Sequence, residues 1–345
     1  MPLRRPATRP AVAPELGLHG AGMISAVHAM AAAALGVRIG PVASRTDERA
    51  RDRASRLGGR PVRYEDLPAG ADLVVVATPP GDHAAAALRL MAAGAAVLVE
   101  KPLCTTAAQA DALVAATDAG GRLVYAENLA FAPAVEAFLA TCGRAGPLHH
   151  LEARALQGRP TWGEFLTEGW GGGALFDLGA HPIALVLLAA GAARPVAVQG
   201  VLRGGPTTDE HGTARIRFDD GLVATVVASW LDGPAPLWDV QAAGAGAVAR
   251  LELLPAASLE LDGRPVALPP STTTPAVVEE LGYLGQLRHA VAVATGAPAR
   301  IGAAFGRAVL DVTLGAYASA GRGGEWVPLP WDGPRDRTPL QLWRA

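Results

Sequence analysis

One lysine stands in a chain whose other basic side chains are arginine and histidine: Lys101, in Glu100-Lys101-Pro102 at the end of the apolar run 96–100. Where charge alone is needed this composition uses Arg, so a retained Lys points to a compact ammonium whose pKa can be lowered enough to exchange protons. At the carboxyl edge of a parallel sheet it can hydrogen-bond a reacting oxygen and, partly desolvated, assist proton transfer. The plain alternative is a surface lysine beside a turn. Farther along, Asp177 and His181 lie four residues apart in the Gly-rich stretch 170–182. On one helix they share a face, carboxylate beside imidazole, and can work as an oriented pair. If the helix starts later, near Pro182, Asp177 is an N-cap and His181 a satisfied core histidine.

A second kind of chemistry is written near the start. The apolar run 16–19 leads into Gly20-Ala21-Gly22-Met23-Ile24-Ser25 and then a helical stretch, a GxGxxG turn with Ser in the third glycine position. Gly20 permits the tight turn, Gly22 lets backbone approach a pyrophosphate, and Met23 and Ile24 open the helix whose N-terminus faces the phosphates. About 20 residues on, where an acidic side chain would hold the ribose 2′-hydroxyl of NAD, the chain has Ser44 and Arg45. A hydroxyl and a guanidinium suit a 2′-phosphate, so NADP(H) is favoured over NAD(H). The alternative is that Arg45 stacks on adenine or faces water, and the nearby Asp47 counts toward NAD(H). Thr78 and Pro79 end the next strand at the edge where ligands bind, and His83 reads as a helix-start packing residue.

These groups need elements to hold them. Over 15–130, short strands that are apolar on both faces (16–19, 37–43, 73–77, 96–100, 123–126) alternate with helices (24–35, 47–57, 84–94, 106–119), the pattern of a doubly wound parallel Rossmann sheet. Over 131–345 the rhythm becomes α+β. A helix at 134–140 precedes strands at 148–156, 196–202, 212–218, 223–231, 239–243, 247–254 and 258–261, several joined by hairpin signals such as Asp219-Asp220-Gly221 and Asp262-Gly263, giving a large, mostly antiparallel open sheet. Helices are expected near 173–190, 277–295 and 303–320. The fold class is therefore α/β with an α+β second domain.

With 345 residues, 50% hydrophobic and 18% charged, the chain is globular, and a formal charge of −2 without a basic stripe argues against nucleic acid or an anionic membrane as partner. A small molecule is the expected partner. Cys104 and Cys142 lie far apart with no ligand spacing, so they read as buried hydrophobes in a reducing compartment, with no metal. The Arg- and Pro-rich arm 1–14 is no signal sequence and reads as disordered, and the protein is expected in the cytoplasm.

Taken together, the turn at Gly20–Ser25, His28, Ala77-Thr78-Pro79, Glu100-Lys101-Pro102, Gly172-Gly173 leading to Asp177 and His181, the helix 283–296 and Tyr317-Ala318-Ser319 resemble the glucose–fructose oxidoreductase/inositol dehydrogenase (Gfo/Idh/MocA) family over nearly the whole chain. The resemblance implies hydride transfer between a nicotinamide and a secondary alcohol or ketone of a sugar, polyol or sugar nucleotide. It makes His181 the acid–base group, Lys101 the group that polarises the oxygen, and Asp177 the group that orients His181 or a substrate hydroxyl. It places Glu100 and Asn128 at the cofactor and Glu127 near nicotinamide or substrate, domain-linker capping being the alternative for Glu127 and Asn128. Specificity would come from Trp162, Glu164, Phe165 and Trp170, which could stack on a ring and bond its hydroxyls, and from Tyr283. A homo-oligomer, dimer or tetramer, built through the open sheet is implied as well. Reduction of an imine or conjugated double bond, or nucleotide sensing without turnover, are the alternatives on the same fold. His19, where the first strand would have an aliphatic residue, departs from the pattern.

Overall fold

The computed structural model describes residues 14–345 other than 162, 206 and 234, so all but Pro14 of the arm lies outside the described residues. Short runs with no polar face must be covered on both sides. The first half of the chain uses them as β1 (Leu16–His19), β2 (Ile39–Ala43), β4 (Leu73–Val76), β5 (Ala96–Glu100) and β6 (Leu123–Ala126), and adds a short, largely exposed edge strand, β3 (Arg60–Val62). Among the described residues these form one parallel sheet in the order β3-β2-β1-β4-β5-β6. Helices α1 (Met23–Ala34), α2 (Asp47–Leu57), α3 (Pro80–Ala92) and α4 (Ala107–Asp118) connect them. Alternation along β4 and β5 feeds two cores: Val74, Val76, Val97 and Val99 join the cluster that includes α3 and α4, while Leu73, Val75, Ala96 and Leu98 join the one that includes α1. Strand order reverses between β1 and β4, which opens a crevice at their carboxyl ends.

The second half runs α5 (Pro133–Cys142), β7 (Leu148–Leu156), α6 (Ala174–Asp177), α7 (Ala180–Ala190), β8 (Pro195–Gly204), β9 (Asp209–Phe218), β10 (Val223–Ser229), β11 (Leu237–Gly244), β12 (Val248–Leu254), β13 (Ser258–Leu261), β14 (Arg264–Val266), α8 (Val277–Glu280), α9 (Tyr283–Ala294), α10 (Ala303–Gly321), β15 (Val327–Pro328) and α11 (Pro339–Trp343). Among the described residues its nine strands form one sheet, β14-β13-β12-β11-β7-β10-β9-β8-β15, antiparallel except at β7/β10. Buried and half-buried residues alternate along β7 and β10, so one face lies on the core and the other faces outward. Helix α9 crosses back, and its Leu284, Leu287 and Ala290 share the α1 core of the first sheet.

The structure departs from the sequence reading at identifiable points. The expected helix 173–190 is two helices, bent by 46° between Glu168–Asp177 and Ala180–Ala190. The expected helix 277–295 breaks at Leu281, whose carbonyl accepts from Asn128 Nδ2 at 2.7 Å. Strands β3, β14 and β15, of three, three and two residues, are too short to show a period. Among the described residues no single helix is long and apolar enough to cross a membrane, and Ala180–Val186 of the bent pair are buried in the core. Cys104 and Cys142 are buried and unpaired.

Candidate active site

The crevice begins at the turn after β1. Gly20 has φ 122°, and a Cβ there would stand 2.5 Å from the Ala77 carbonyl oxygen, so no other residue fits. Ser25 is fully buried and its Oγ donates to the Gly20 carbonyl at 2.8 Å, closing the turn where a third glycine would allow close packing. Gly22 caps α1 without a side-chain bond, leaving the first N–H groups at Met23 and Ile24 open, and nothing lies within 4 Å of where a Gly22 Cβ would be. Thr78 Oγ1 is buried with no partner among the described residues. An uncapped helix start, open space above it and an orphan hydroxyl alongside are features that fit the pyrophosphate and nicotinamide half of a dinucleotide. Arg53 Nη2 donates to the carbonyls of Ala21 and Gly22 at 3.3 and 3.2 Å, a brace from α2 that the motif alone did not reveal.

At the adenosine end, Ser44 is half-buried and Arg45 exposed. Arg45 Nη2 donates to Glu164 Oε1 at 3.2 Å, joining the end of β2 to the loop between β7 and α6. Asp47 opens α2 and pairs with Arg51 at 3.5 Å, both side chains exposed. Pro79 caps α3, and the His83 ring nitrogens lie 2.7 Å from the Thr78 carbonyl and 2.9 Å from that of Pro102, bridging two crevice loops as a packing residue would.

At the end of β5, Lys101 Nζ donates to Asp177 Oδ1 at 2.9 Å and to the Asp177 carbonyl at 3.1 Å. Burial alone would lower the Lys101 pKa, but the charges of Asp177, Glu100 and Glu127 outweigh it and hold the ammonium above its ordinary range. The expectation of an easily deprotonated lysine is therefore corrected: three carboxylates surround it and fix its charge. Asp177 likewise does not orient His181. Because the chain bends at Leu178 and Gly179, Asp177 turns to Lys101, and His181 Nδ1 instead meets Glu127, at 2.8 Å from Oε1 and 3.1 Å from Oε2.

Other expected residues have different duties. Glu100 accepts from His28 Nε2 at 2.7 Å and from the Lys101 N–H at 3.1 Å; burial raises its pKa, and His28 and Lys101 bring the net shift downward. It ties His28 of α1 to the end of β5, each of its oxygens accepting one hydrogen bond. Glu127 is fully buried, and Asn128, 4% exposed, donates from its Nδ2 to the Leu281 carbonyl. Tyr283, half-buried, packs edge-on against His28 with ring centroids 6.0 Å apart. Trp162 lies outside the described residues. Phe165 and Trp170 pack together at 4.5 Å, and both rest against the main core, so each anchors the loop that carries Glu164.

Two residues, Asp209 and Trp238, went unseen in the sequence. Asp209 is fully buried; its Oδ1 accepts from the Gly173 N–H at 2.9 Å and from the Tyr317 hydroxyl at 2.5 Å, and its Oδ2 from the Leu175 N–H at 2.9 Å. Burial pushes its pKa up against those bonds. Asp209 and Tyr317 thus clamp the first turn of α6, which carries Asp177, and a Cβ on Gly173 would strike the Asp209 carbonyl oxygen at 2.0 Å. Trp238 of β11 lies over His181, ring centroids 5.0 Å apart. A tryptophan opening a strand and an aspartate among hairpins carry no local signal of these long-range contacts. Among the described residues no group of three or more His, Cys, Asp or Glu could hold a metal ion.

Comparison with known proteins follows the same lines. Residues 15–128 match the model of an oxidoreductase family with an NAD-binding Rossmann fold, and residues 139–245 match the GFO/IDH/MocA C-terminal domain. A protein named as a UDP-kanosamine synthase oxidoreductase subunit of Amycolatopsis mediterranei is 32% identical over 183 residues, 46% of this chain and 51% of that protein. The trans-1,2-dihydrobenzene-1,2-diol dehydrogenase of Oryctolagus cuniculus is 32% identical over 177 residues, 48% of this chain and 52% of that protein. The matched stretch thus spans about half the length of either relative. Among solved structures, GenD2 from gentamicin A biosynthesis, in complex with NAD, superposes with a TM-score of 0.81 at 26% identity, covering 94% of this chain and 99% of GenD2.

Proposed function

The chain belongs to the Gfo/Idh/MocA family of NAD-binding oxidoreductases, and from that premise we propose that it interconverts a secondary alcohol and a ketone on a sugar, polyol or sugar nucleotide, with NADP(H) favoured over NAD(H). Bound along the crevice, the dinucleotide supplies the hydride acceptor or donor. Gly20, Gly22, Met23, Ile24, Thr78 and Pro79 would hold it, with Ser44 and Arg45 at its 2′-phosphate.

The observation that carries the reading is the arrangement of Lys101. An ammonium has three N–H donors, and Asp177 takes two of them, through Oδ1 and the backbone carbonyl. The third is left for the substrate oxygen, and a fixed positive charge there stabilises the alkoxide character that develops as the carbinol C–H bond breaks. His181 is the proton acceptor of alcohol oxidation and the donor in reduction. Reduction of an imine or a conjugated double bond takes up a proton as well, so what favours alcohol chemistry is the fixed ammonium of Lys101, which suits a developing alkoxide. For the cofactor, the Arg45–Glu164 pair is more than half exposed on both sides, so it is worth no more than about 1 kcal/mol and yields to a phosphate dianion. Partner copies would meet on the outward face of the second sheet, where Val223, Thr225 and Val227 are only half-covered, in a dimer or tetramer.

The test is fluorescence titration with NADPH and NADH, followed by turnover of a panel of ketosugars, polyols and UDP-sugars by the wild type and Lys101→Met. Tighter NADPH binding is expected, with turnover in the variant reduced by roughly 100- to 1,000-fold, the loss typical of removing one preorganised donor to a developing oxyanion. Turnover indifferent to Lys101 would overturn the reading.

A further inference from the structure

We infer that Glu127 is a positioning residue for the proton step: it selects the His181 tautomer that carries hydrogen on Nδ1 and leaves Nε2 bare as the base. The inference rests on the reading of His181 given above. Glu127 follows β6 and has no exposed surface, so its carboxylate must be matched by donors. Its Oε1 accepts from the Leu129 N–H at 3.3 Å, and both of its oxygens face His181 Nδ1, at 2.8 and 3.1 Å. An ionised carboxylate only accepts. The opposite tautomer would set the Nδ1 lone pair against two oxygens with no hydrogen between them.

The backbone at Glu127 is itself held. Its N–H donates to the Tyr125 carbonyl at 2.8 Å, and the Asn128 side chain ties the following turn to Leu281. Trp238 covers one face of the imidazole. Edge and face together fix the ring, and Nε2 has no partner among the described residues. In alcohol oxidation the hydroxyl O–H bond would break, its proton going to Nε2 and its electron pair forming the C=O bond, while the carbinol hydrogen would leave with the C–H electron pair as a hydride, for which a bound nicotinamide would supply the acceptor. His181 becomes an imidazolium with both ring nitrogens protonated, and Glu127, still ionised, balances its charge. Lys101 is tied to Asp177 by two of its N–H groups, which leaves proton transfer to a second group, and Glu127 makes His181 ready for it.

Glu127→Gln and Glu127→Ala of the full chain provide the test, beside His181→Ala. Loss of an outer partner of a functional histidine costs about 10- to 100-fold, and imposing the wrong tautomer about 10,000-fold. We expect kcat to fall by at least roughly 10-fold in Glu127→Ala and further in Glu127→Gln, whose amide N–H can face Nδ1 and drive hydrogen onto Nε2. KM and the NADPH dissociation constant should stay within about 3-fold of wild type, a split that general loosening of the fold would not give. Independently of activity, 15N–1H correlation of the imidazoles in the wild-type protein, assigned with His181→Ala, should show His181 protonated at Nδ1. Cofactor-binding Glu127 variants with wild-type kcat, or a wild-type His181 protonated at Nε2, would overturn the proposal, and the second measurement decides even if neither variant folds. If His181→Ala itself keeps turnover, the acid–base reading fails, which is a different outcome from Glu127 alone being dispensable.

Discussion

Replacing His19 with leucine should remove a defined part of the acid sensitivity of this protein. His19 ends β1, one residue before the cofactor turn, and is 5% exposed. Its ring lies on Tyr64 with centroids 4.2 Å apart, and its Nδ1 is buried without a partner among the described residues. Burial first, then the positive charge of Arg89, lower its pKa from 6.5 to about 4. The native state therefore binds this proton less readily than the unfolded chain. Stability from the neutral ring is complete above pH 6.5, declines as pH falls from 6.5 toward 4, and changes no further below that. At 1.36 kcal/mol for each pH unit, the gap between unfolded and folded values amounts to about 3 kcal/mol, most of it already lost at pH 4.5. Urea unfolding at pH 7.5 and 4.5 measures it: the wild type should lose about 2 to 3 kcal/mol more than His19→Leu between the two. Carboxylate protonation acts on both proteins and cancels in the difference. Equal losses, or a His19 ring resonance that titrates near 6.5, would refute a neutral imidazole wedged on Tyr64.

Two further outcomes bear on the site. Arg45→Ala should weaken NADPH binding by roughly 10- to 100-fold, the worth of charge-assisted hydrogen bonds to a phosphate, while leaving NADH within about 2-fold; equal effects on both cofactors would assign Arg45 to adenine stacking. Asp209→Asn leaves at least one of three converging donors without an acceptor, so it should cost about 1 to 3 kcal/mol of stability and lower turnover through the α6 turn, read by thermal melting and kcat; a variant with wild-type melting and activity would show that the turn holds itself.

Elements that announce themselves locally were readable from the residues. β1, β4, β5 and β6 are apolar on both faces, and the Gly20–Ser25 turn needs backbone space that only small residues leave, so the sheet, the crevice and the position of Lys101 all follow from short stretches of chain. Pairings across the crevice were not readable. Lys101 and Asp177 are 76 residues apart and Glu127 and His181 54; the first pair depends on how the end of β5 meets α6, the second on how the end of β6 meets the start of α7. The local spacing of Asp177 and His181 pointed to a partnership that one bend at Leu178 and Gly179 undoes. The family resemblance puts Glu127 and Asn128 at the crevice, and a position after a strand end also suits struts: one side chain meets an imidazole and the other the Leu281 carbonyl. The loop aromatics Phe165 and Trp170 fell to the same ambiguity, since an aromatic that could stack on a sugar can equally anchor a loop.

The lone lysine illustrates why the type of a residue can be read correctly for the wrong physical reason. Its retention among arginines suggested a titratable amine, whereas three carboxylates hold it charged. What the position does require is the other property that separates Lys from Arg, a compact head whose three donors diverge from one atom. Two N–H groups reach Oδ1 and the carbonyl of a single residue, Asp177, while a third stays available. A planar guanidinium, with its donors spread over three nitrogens, would match the Asp177 carboxylate side-on and fill the space that the third N–H opens onto. In the mechanism proposed here the fixed charge and the moving proton then belong to different residues. Lys101 is kept from exchanging by its carboxylates, and His181, against a buried carboxylate of its own, is the group left to exchange.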